Sequence, residues 1–375
     1  MFKAFLVVPP GLEKIAQSEV NLHFPDLLPK SPNNNLEYEC NLRTLYKLNL
    51  LLRVPNRILV RFAEFETTSF QDLFSKSVKL PWKQFLHKDH PLRIRTTCHK
   101  SKLYHSGAVT ERIHQAIETN FGKKIQLIQG ESEEIQGKQQ LIVVRLFHDT
   151  LTISIDSSGP PLYMRGYREI VSKAPIRENL AAGLILASGW TSDQPLIDPF
   201  CGSGTIPIEA ALIASRRPPG LYRDFCFEKW SNFDHLLWHE VRRETNQFSP
   251  EGSPMIFGND RNQGAIEIAR QNAFNAKVEG MIEWKTQSIS DSRPVKNTGW
   301  IITNPPYGLR LSSDQDVRNL YAQFGNILRK DFRGLNVLFL CNNYFLATQT
   351  KLKLKSLLSF SNGGINVQAF HAIVD

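Results

Sequence analysis

From about residue 175 onward, the sequence alternates short apolar segments with helical segments of ten or more residues. This alternation is typical of a parallel sheet, because parallel strands need long crossover connections. The predicted strands are QPLIDP (194–199), MIFGN (255–259), MIEWKT (281–286), GWIITN (299–304), NVLFLC (336–341) and a terminal pair around SNGG (361–364). Six or seven strands fit one sheet. We therefore predict an α/β domain over residues 175–375, with an insertion or lid at 216–254.

The first half of the chain contains two smaller α/β patterns. The first has the strands KAFLVV (3–8), LEYEC (36–40) and ILVRFAEF (58–65), with helices between them. The second has the strand LRIRTT (92–97), the helix AVTERIHQAIET (108–119) and a hairpin of LIVVRLF and LTISID. Since 375 residues exceed what one core usually organises, we predict an N-terminal module at 1–65, a second module at 66–157 and a linker at 158–174.

The positive charge of the chain is concentrated in one region. The formal net charge is +9, and residues 76–124 hold eleven Lys and Arg against three acidic residues. Five histidines and four aromatic residues are interleaved there, which is typical of a nucleic-acid surface. On charge alone, a solvated helical face explains the region equally well. The predicted nucleic-acid contacts are Arg93, Arg95, Lys100, Lys102, Arg165 and Arg168.

Cysteine spacing and hydropathy argue against several classes of protein. The five cysteines are odd in number and never spaced as CxxC, so neither a disulfide framework nor a metal site is indicated. The longest apolar runs are too short to cross a bilayer, and MFKAFLVVPPG lacks the features of a signal peptide. We therefore expect a cytoplasmic protein with no metal and no membrane partner.

Two strand ends carry residues suited to a nucleotide-like ligand. In LIDPFCGSGTIPIEAAL (196–212), Gly202 and Gly204 follow a strand and precede a helix whose N-terminus offers free N–H groups. Such a turn is weak evidence by itself, because glycine also serves tight turns. In MIFGNDR, Asp260 stands where a carboxylate can accept hydrogen bonds from the two hydroxyls of a ribose. It can equally cap the helix that follows.

The stretch TNPPYG (303–308) is the most specific of the motifs. Two consecutive prolines fix two φ angles and remove two backbone donors. The side-chain oxygen of Asn304 and the carbonyl of Pro305 are then available as acceptors, and Tyr307 adds an aromatic face. This set suits a planar group that carries an NH2. The alternative, a loop merely stiffened by proline, leaves Tyr307 unexplained.

DPFCGSGT (198–205), GNDR (258–261) and NPPYG (304–308), in this order, resemble the motifs of class I S-adenosylmethionine-dependent methyltransferases that act on amino groups. SIDSSGPPLYMRGYRE (154–169) with APIRENLAAGLI (174–185) is similar to the THUMP-domain RNA guanine-N2 methyltransferases. The resemblance covers essentially the whole chain. It implies a ferredoxin-like module, a THUMP module and a Rossmann-type domain with an antiparallel last strand.

The resemblance also implies roles for individual residues. Asn304, Pro305 and Tyr307 would face the target base. The implied S-adenosylmethionine contacts are Asp198, Phe200, Gly202, Gly204, Thr205, Asp260, Ser288 and Asn304. At Ser288 the sequence departs from the family pattern, which has an aspartate that accepts the adenine amino group. A serine hydroxyl still accepts that hydrogen bond, without charge assistance.

The sequence thus predicts methyl transfer to the N2 amine of a guanosine in RNA, with large-subunit (23S) rRNA as the first candidate substrate and tRNA as the second. Two alternatives stay open at this point. An adenine-N6 methyltransferase is one, because NPPY binds an amine without identifying its ring. The other is an RNA-binding ribosome assembly factor without catalytic activity, which cofactor binding would distinguish from the enzymes.

Overall fold

The computed structural model of the chain describes residues 1–31, 35–128, 139–168, 176–246, 255–307 and 314–375. These residues divide into two compact units. The first consists of Met1–Val7, Val20–Leu162 and Tyr222–Thr245. The second consists of Val8–Glu19, Tyr163–Leu221 and Asn246–Asp375.

The described residues form strands and helices with the following bounds. The strands are β1 (Phe2–Val7), β2 (Pro29–Ser31), β3 (Asn35–Cys40), β4 (Arg57–Glu66), β5 (Leu92–His99), β6 (Gln140–Phe147), β7 (Thr150–Asp156), β8 (Leu196–Asp198), β9 (Ile256–Asp260), β10 (Ile282–Thr286), β11 (Trp300–Thr303), β12 (Asn336–Cys341), β13 (Lys355–Asn362) and β14 (Ile365–Ile373). The helices are α1 (Glu13–His23), α2 (Leu42–Leu51), α3 (Phe70–Val78), α4 (Ser106–Phe121), α5 (Glu178–Ser188), α6 (Thr205–Ala214), α7 (His235–Thr245), α8 (Gln263–Asn275), α9 (Asp314–Asp331) and α10 (Tyr344–Ala347).

A single seven-stranded sheet runs through the first unit, in the order β2-β3-β1-β4-β7-β6-β5. We expected two separate small modules, and β4 is the strand that joins them. Its first residues pair with β1, and Leu59 to Glu66 pair antiparallel with β7. A ten-residue strand is long enough to serve both neighbours. The two sequence patterns therefore share one sheet.

The strands of this sheet show the two-residue alternation of a half-buried sheet. In β6, Ile142, Val144 and Leu146 are buried, whereas Arg145 and Phe147 are exposed. The apolar face is covered in part by α4, whose buried residues recur at helical spacing. On the opposite face Arg93 and Leu141 are buried, whereas the residues toward the carboxyl ends of the two strands are exposed: Arg95, Thr97 and His99 of β5, and Arg145 and Phe147 of β6.

The second unit contains a seven-stranded sheet in the order β10-β9-β8-β11-β12-β14-β13. Strands β8 to β12 pair in parallel, and β14 lies antiparallel to both β12 and β13. The predicted α/β class and the antiparallel last strand are confirmed. The chain order reverses between β8 and β11, and ligands of such sheets bind beyond the carboxyl ends of the strands at this point.

Helix α9 covers one face of this sheet. Its residues Val317, Tyr321, Phe324 and Leu328 recur at helical spacing, and each is at most 3% exposed. They belong to one apolar cluster with the β12 side chains Val337 and Phe339. This packing fixes the helix whose first turns border the site described below.

The segment 216–254 was expected to be an insertion in the catalytic domain. Its part from Tyr222 to Thr245 packs within the first unit. There the Arg223 guanidinium donates to the carbonyl of Pro161 over 2.7 Å, and the rings of Phe227 and Tyr46 stack at 4.4 Å. Residues 247–254 of this segment lie outside the described residues, as do residues 169–174 of the expected linker.

We predict that Gly325→Ala destabilises the second unit, although alanine is normally favoured over glycine inside a helix. A Cβ on Gly325 would stand 2.0 Å from the backbone oxygen of Thr350, so α9 would have to shift. We expect a cost of about 1–3 kcal/mol, measured as a lower thermal midpoint. Gly264→Ala in α8 is the matched control, because its nearest contact would be 3.4 Å. Equal midpoints for wild type and Gly325→Ala would contradict this packing.

Candidate active site at the carboxyl ends of the parallel strands

A cavity of about 520 Å³ opens at the carboxyl ends of β8, β9, β10 and β11 in the second unit. This volume suits a ligand of nucleoside size. Its lining residues are Pro199, Phe200, Gly202, Asp260, Arg261, Gln287, Ser288, Ile289, Asn304, Pro306, Asp316, Asn319, Leu320 and Gln323. Five of the predicted site residues are thus brought together: Phe200, Gly202, Asp260, Ser288 and Asn304.

The two glycines after β8 serve different purposes. Both have positive φ, +52° at Gly202 and +82° at Gly204. A Cβ on Gly202 would meet no described atom within 4 Å, so a side chain there would project into open space at the cavity. A Cβ on Gly204 would stand 2.7 Å from the ring of Trp284. Gly202 therefore leaves room for a ligand, whereas Gly204 permits close packing at the start of α6.

Asp198, at the end of β8, is a buried carboxyl that is not among the residues lining the cavity, so its predicted cofactor contact stays a prediction. It accepts hydrogen bonds from the Thr303 hydroxyl at 2.6 Å and from the Phe200 N–H at 3.1 Å. Burial raises its pKa to about 7, and the nearby charge of Asp260 acts in the same direction. The two donors oppose this rise. A cation bound near Asp198 would favour the ionised carboxylate.

Asp260, at the end of β9, holds the glycine turn. Its carboxylate accepts from the N–H of Gly202 at 3.0 Å and from the N–H of Asn262 at 2.9 Å. Each carboxylate oxygen has a further lone pair, and Asp260 also borders the cavity. The ribose contact predicted for Asp260 is therefore compatible with its observed hydrogen bonds.

The end of β11 carries the acceptor expected from the NPPY motif. The side-chain oxygen of Asn304 is buried and accepts no hydrogen bond from any described residue. Leaving such an acceptor unsatisfied costs about 1–3 kcal/mol, so this oxygen is suited to accept a hydrogen bond from a bound ligand. Pro305 is buried beside it and Pro306 lines the cavity. Gly308, the last residue of the motif, lies outside the described residues.

Some residues at or near the cavity could not be identified from the sequence: Asn319 and Gln323 line it, and Asn362 contacts the predicted Tyr307, which is itself not among the lining residues. The hydroxyl of Tyr307 accepts a hydrogen bond of 3.2 Å from the side-chain amide of Asn362, which is at the end of β13. The first turns of α9 contribute Asn319 and Gln323 to the cavity wall. Asn319, Gln323 and Asn362 belong to none of the sequence motifs, and only folding of the chain brings them close to the site.

Thr205, Arg165 and Arg168 have partners inside the second unit. Arg168 donates to the Thr205 hydroxyl at 2.6 Å and is paired with Glu178 at 3.5 Å. The buried Arg165 is paired with Glu209 at 3.6 Å. Thr205 is buried and is not among the residues that line the cavity. The cofactor contact of Thr205 and the RNA contacts of Arg165 and Arg168 stay predictions. The observed partners argue against these contacts, because they already use polar groups of the three side chains.

The other predicted RNA contacts are on β5 and the loop that follows it, in the first unit. Arg95, Lys100 and Lys102 are exposed, whereas Arg93 is 8% exposed. No ion pair within the described part of the chain uses Arg95, Lys100 or Lys102.

Of the helices that the structure describes, none is long and apolar enough to span a bilayer.

Comparison with known proteins yields three matches to family models. Residues 165–363 match the model described as "RMKL-like, methyltransferase domain". Residues 67–156 match the THUMP domain, and residues 3–59 match the RlmL ferredoxin-like domain. Three parts of the chain thus correspond to three domain types.

Whole proteins are similar as well. The putative RNA methyltransferase YpsC of Bacillus subtilis is 33% identical over 322 residues, which cover 84% of this chain and 82% of that protein. The ribosomal RNA large subunit methyltransferase K/L of Psychromonas ingrahamii is 34% identical over 353 residues, or 90% of this chain. The chain spans only 46% of that relative's length.

A solved structure shares the complete fold. The crystal structure of SMU.472, a putative methyltransferase complexed with SAH, has a TM-score of 0.86 and 31% identity, and the match covers 100% of this chain and 98% of that one. The predicted THUMP-type methyltransferase family and the predicted cofactor, S-adenosylmethionine, are confirmed. The chain belongs to the S-adenosylmethionine-dependent methyltransferases that combine an RMKL-like catalytic domain with an N-terminal THUMP region.

Proposed function

We propose that this methyltransferase transfers a methyl group to the exocyclic N2 amine of a guanosine in RNA. The observation that carries the proposal is the buried side-chain oxygen of Asn304 in the cavity wall, which accepts no hydrogen bond from the described residues. An amine is the ligand group that supplies N–H donors to such an acceptor. Large-subunit rRNA is the first candidate substrate, because the Psychromonas relative is named for it. Transfer RNA is the second.

The chain's own residues would hold the cofactor and present the amine. Gly202, Asp260 and Ser288 border the volume that the cofactor would occupy. When bound, S-adenosylmethionine would supply an activated methyl group on its sulfonium, with the neutral thioether as the leaving group, and the methylated amine would lose one proton to solvent. An exocyclic amine is a weak nucleophile, because its lone pair is delocalised into the purine ring. Two acceptors, Asn304 Oδ1 and the Pro305 carbonyl, would hold both N–H bonds and direct the lone pair toward the methyl group.

Tyr307 would support the base from one face. Stacking of a base on an aromatic ring contributes about 1–3 kcal/mol. The hydrogen bond from Asn362 fixes the hydroxyl of Tyr307 and hence restricts the orientation of its ring. We therefore assign Asn362 a positioning role. Its replacement should alter capture of the base through Tyr307.

RNA as the substrate is supported by the first unit. Residues 67–156 match the THUMP domain, and Arg95, Lys100 and Lys102 are exposed there. Cations on phosphates supply affinity and register without reading bases, which suits recognition of RNA shape. The YpsC relative is also named as a putative RNA methyltransferase.

We predict that Asn304→Ala lowers the single-turnover rate of methyl transfer by about 100-fold or more, while cofactor and RNA affinities change little. This pattern is expected when an interaction that forms mainly in the transition state is lost. The substrate is RNA from a strain lacking the gene, and the product is identified by nucleoside mass spectrometry. Asn326→Ala, an exposed asparagine of α9, is the control and should react at the wild-type rate.

Wild-type transfer rates in Asn304→Ala would contradict the proposed mechanism. If the wild-type product is N6-methyladenosine, the amine mechanism stands and the proposed substrate is wrong. If wild type binds cofactor and RNA but transfers no methyl group to any RNA, the catalytic proposal fails. Tyr307→Ala and Asn362→Ala should differ from Asn304→Ala by also weakening RNA capture.

A second prediction concerns the pH dependence of S-adenosylmethionine affinity. The pKa of buried Asp198 is about 7 before the ligand binds. A cationic ligand favours the ionised carboxylate, so the carboxyl must lose its proton on binding when the pH is below that value. Affinity should therefore fall as pH decreases below 7, by up to about tenfold per pH unit. Above pH 7 it should level off.

Calorimetry across about pH 6 to 8 measures this dependence. Asp198→Asn should bind more weakly, and only titration of the ligand itself should remain in its pH profile. The nearby Cys201 thiol does not interfere, because burial raises its pKa well above the ordinary range. Identical pH profiles for wild type and Asp198→Asn would exclude Asp198 as the titrating group.

A further inference from the structure

We propose that the exposed carboxyl-terminal end of the β5–β6 face is a stacking platform for unpaired bases of RNA, formed by His99 and Phe147 and flanked by Arg95 and Arg145. This inference rests on the proposed function in one respect, which is the choice of RNA as the ligand. Neither Phe147 nor Arg145 belongs to the basic region 76–124 that the sequence identified.

The two rings are arranged in advance of any ligand. His99 is the last residue of β5 and Phe147 is the last residue of β6, and they are direct partners in the parallel pairing. Their ring centroids are 5.7 Å apart, and their planes differ by only 6°. His99 is exposed and Phe147 is 40% exposed. A base could thus be added to an existing stack without first ordering the rings.

Two arginines, Arg95 and Arg145, lie on the same face of the sheet as the two rings. The Arg145 guanidinium carbon lies 5.3 Å from the centre of the Phe147 ring. Arg95 is four residues before His99 on β5 and pairs with Val143 of β6. Because side chains alternate between the two faces of a strand, Arg95 lies on the same face as His99. A guanidinium is planar, stacks on aromatic rings and also binds phosphate. Arg95, Arg145, His99 and Phe147 therefore combine base and backbone recognition.

The turn between β6 and β7 holds the loop that carries Lys100 and Lys102 close to the two rings. His148 and Asp149 both have positive φ, +49° and +61°, as in a tight two-residue hairpin. The Asp149 carboxylate accepts from the backbone N–H of Lys102 at 2.7 Å, and its own N–H donates to the Ser101 hydroxyl at 3.0 Å. These bonds hold the loop of Lys100 and Lys102 against the hairpin.

The charges on this face define the kind of ligand. None of the ion pairs among the described residues uses Arg95, Arg145, Lys100 or Lys102, so all four are available to phosphates. The acidic residues Glu64 and Glu66 of this sheet are on β4, and β7 separates β4 from β6. A polyanion that carries aromatic groups fits the β5–β6 side. Single-stranded RNA has both features.

The test uses the full chain and single-stranded RNA oligonucleotides that contain 2-aminopurine, whose fluorescence is quenched by stacking. Affinity and quenching at saturation are measured over a range of salt concentrations. Phe147→Ala should weaken binding by about 5- to 100-fold, abolish most of the quenching and leave the salt dependence unchanged. Phe147→Leu, which keeps the apolar bulk, should show the same loss of quenching.

Cation variants should behave differently. Lys100→Ala with Lys102→Ala should reduce the slope of log affinity against log salt by about 0.7 per lost phosphate contact, and quenching at saturation should remain. Phe274→Ala removes an exposed phenylalanine from α8 and is the matched control, with wild-type binding expected.

Wild-type affinity and quenching in Phe147→Ala would overturn the platform. So would the absence of quenching in wild type, or equal competition by fully paired RNA. The binding experiment can be separated from the proposed catalytic function, because methyl transfer by the same protein preparations is measured independently. Failure of transfer leaves the binding result intact, and failure of the platform leaves transfer intact.

Discussion

The hydrogen bond from the Thr303 hydroxyl to Asp198 is the contact on which the catalytic cleft depends. Strand β11 pairs with β8 at Trp300 and Ile301, and after these residues the two strands lead to the Pro-rich loop and the glycine turn. The side-chain bond of 2.6 Å joins the strands beyond that pairing. Together with the bond from Gly202 to Asp260, it joins the ends of β8, β9 and β11, three of the four strand ends that border the cavity.

Local patterns in the sequence predicted much of this arrangement. Every predicted strand of residues 175–375 is present, because parallel strands buried on both faces are short apolar runs that are easy to recognise. Asp198, Asp260 and Asn304 were predicted as site residues because each directly follows or ends such a run, and Asp260 and Asn304 line the cavity. The family and cofactor could be inferred from the same motifs. Their order along the chain was more informative than any one of them.

Long-range contacts account for what the sequence did not predict. The pairing of β4 with β7 joins residues about ninety positions apart, and the contact of Asn362 with Tyr307 joins distant strands. Neither leaves a periodic signal. Arg165 and Arg168 show the converse problem, because a sequence displays positive charge but does not display the partners Glu209 and Glu178. The packing of Tyr222–Thr245 within the first unit likewise depends on tertiary contacts that no local sequence pattern shows.

The buried oxygen of Asn304 also bears on what the enzyme rejects. This acceptor, which has no partner among the described residues, favours a base that brings a donor and repels one that brings a carbonyl oxygen. Sites built to bind a polar group discriminate strongly against analogues that lack it, because the site's own polar atom is then left unpaired. Under the proposed function, a purine such as hypoxanthine, which has no exocyclic amine, would be excluded by the same atom that orients guanine.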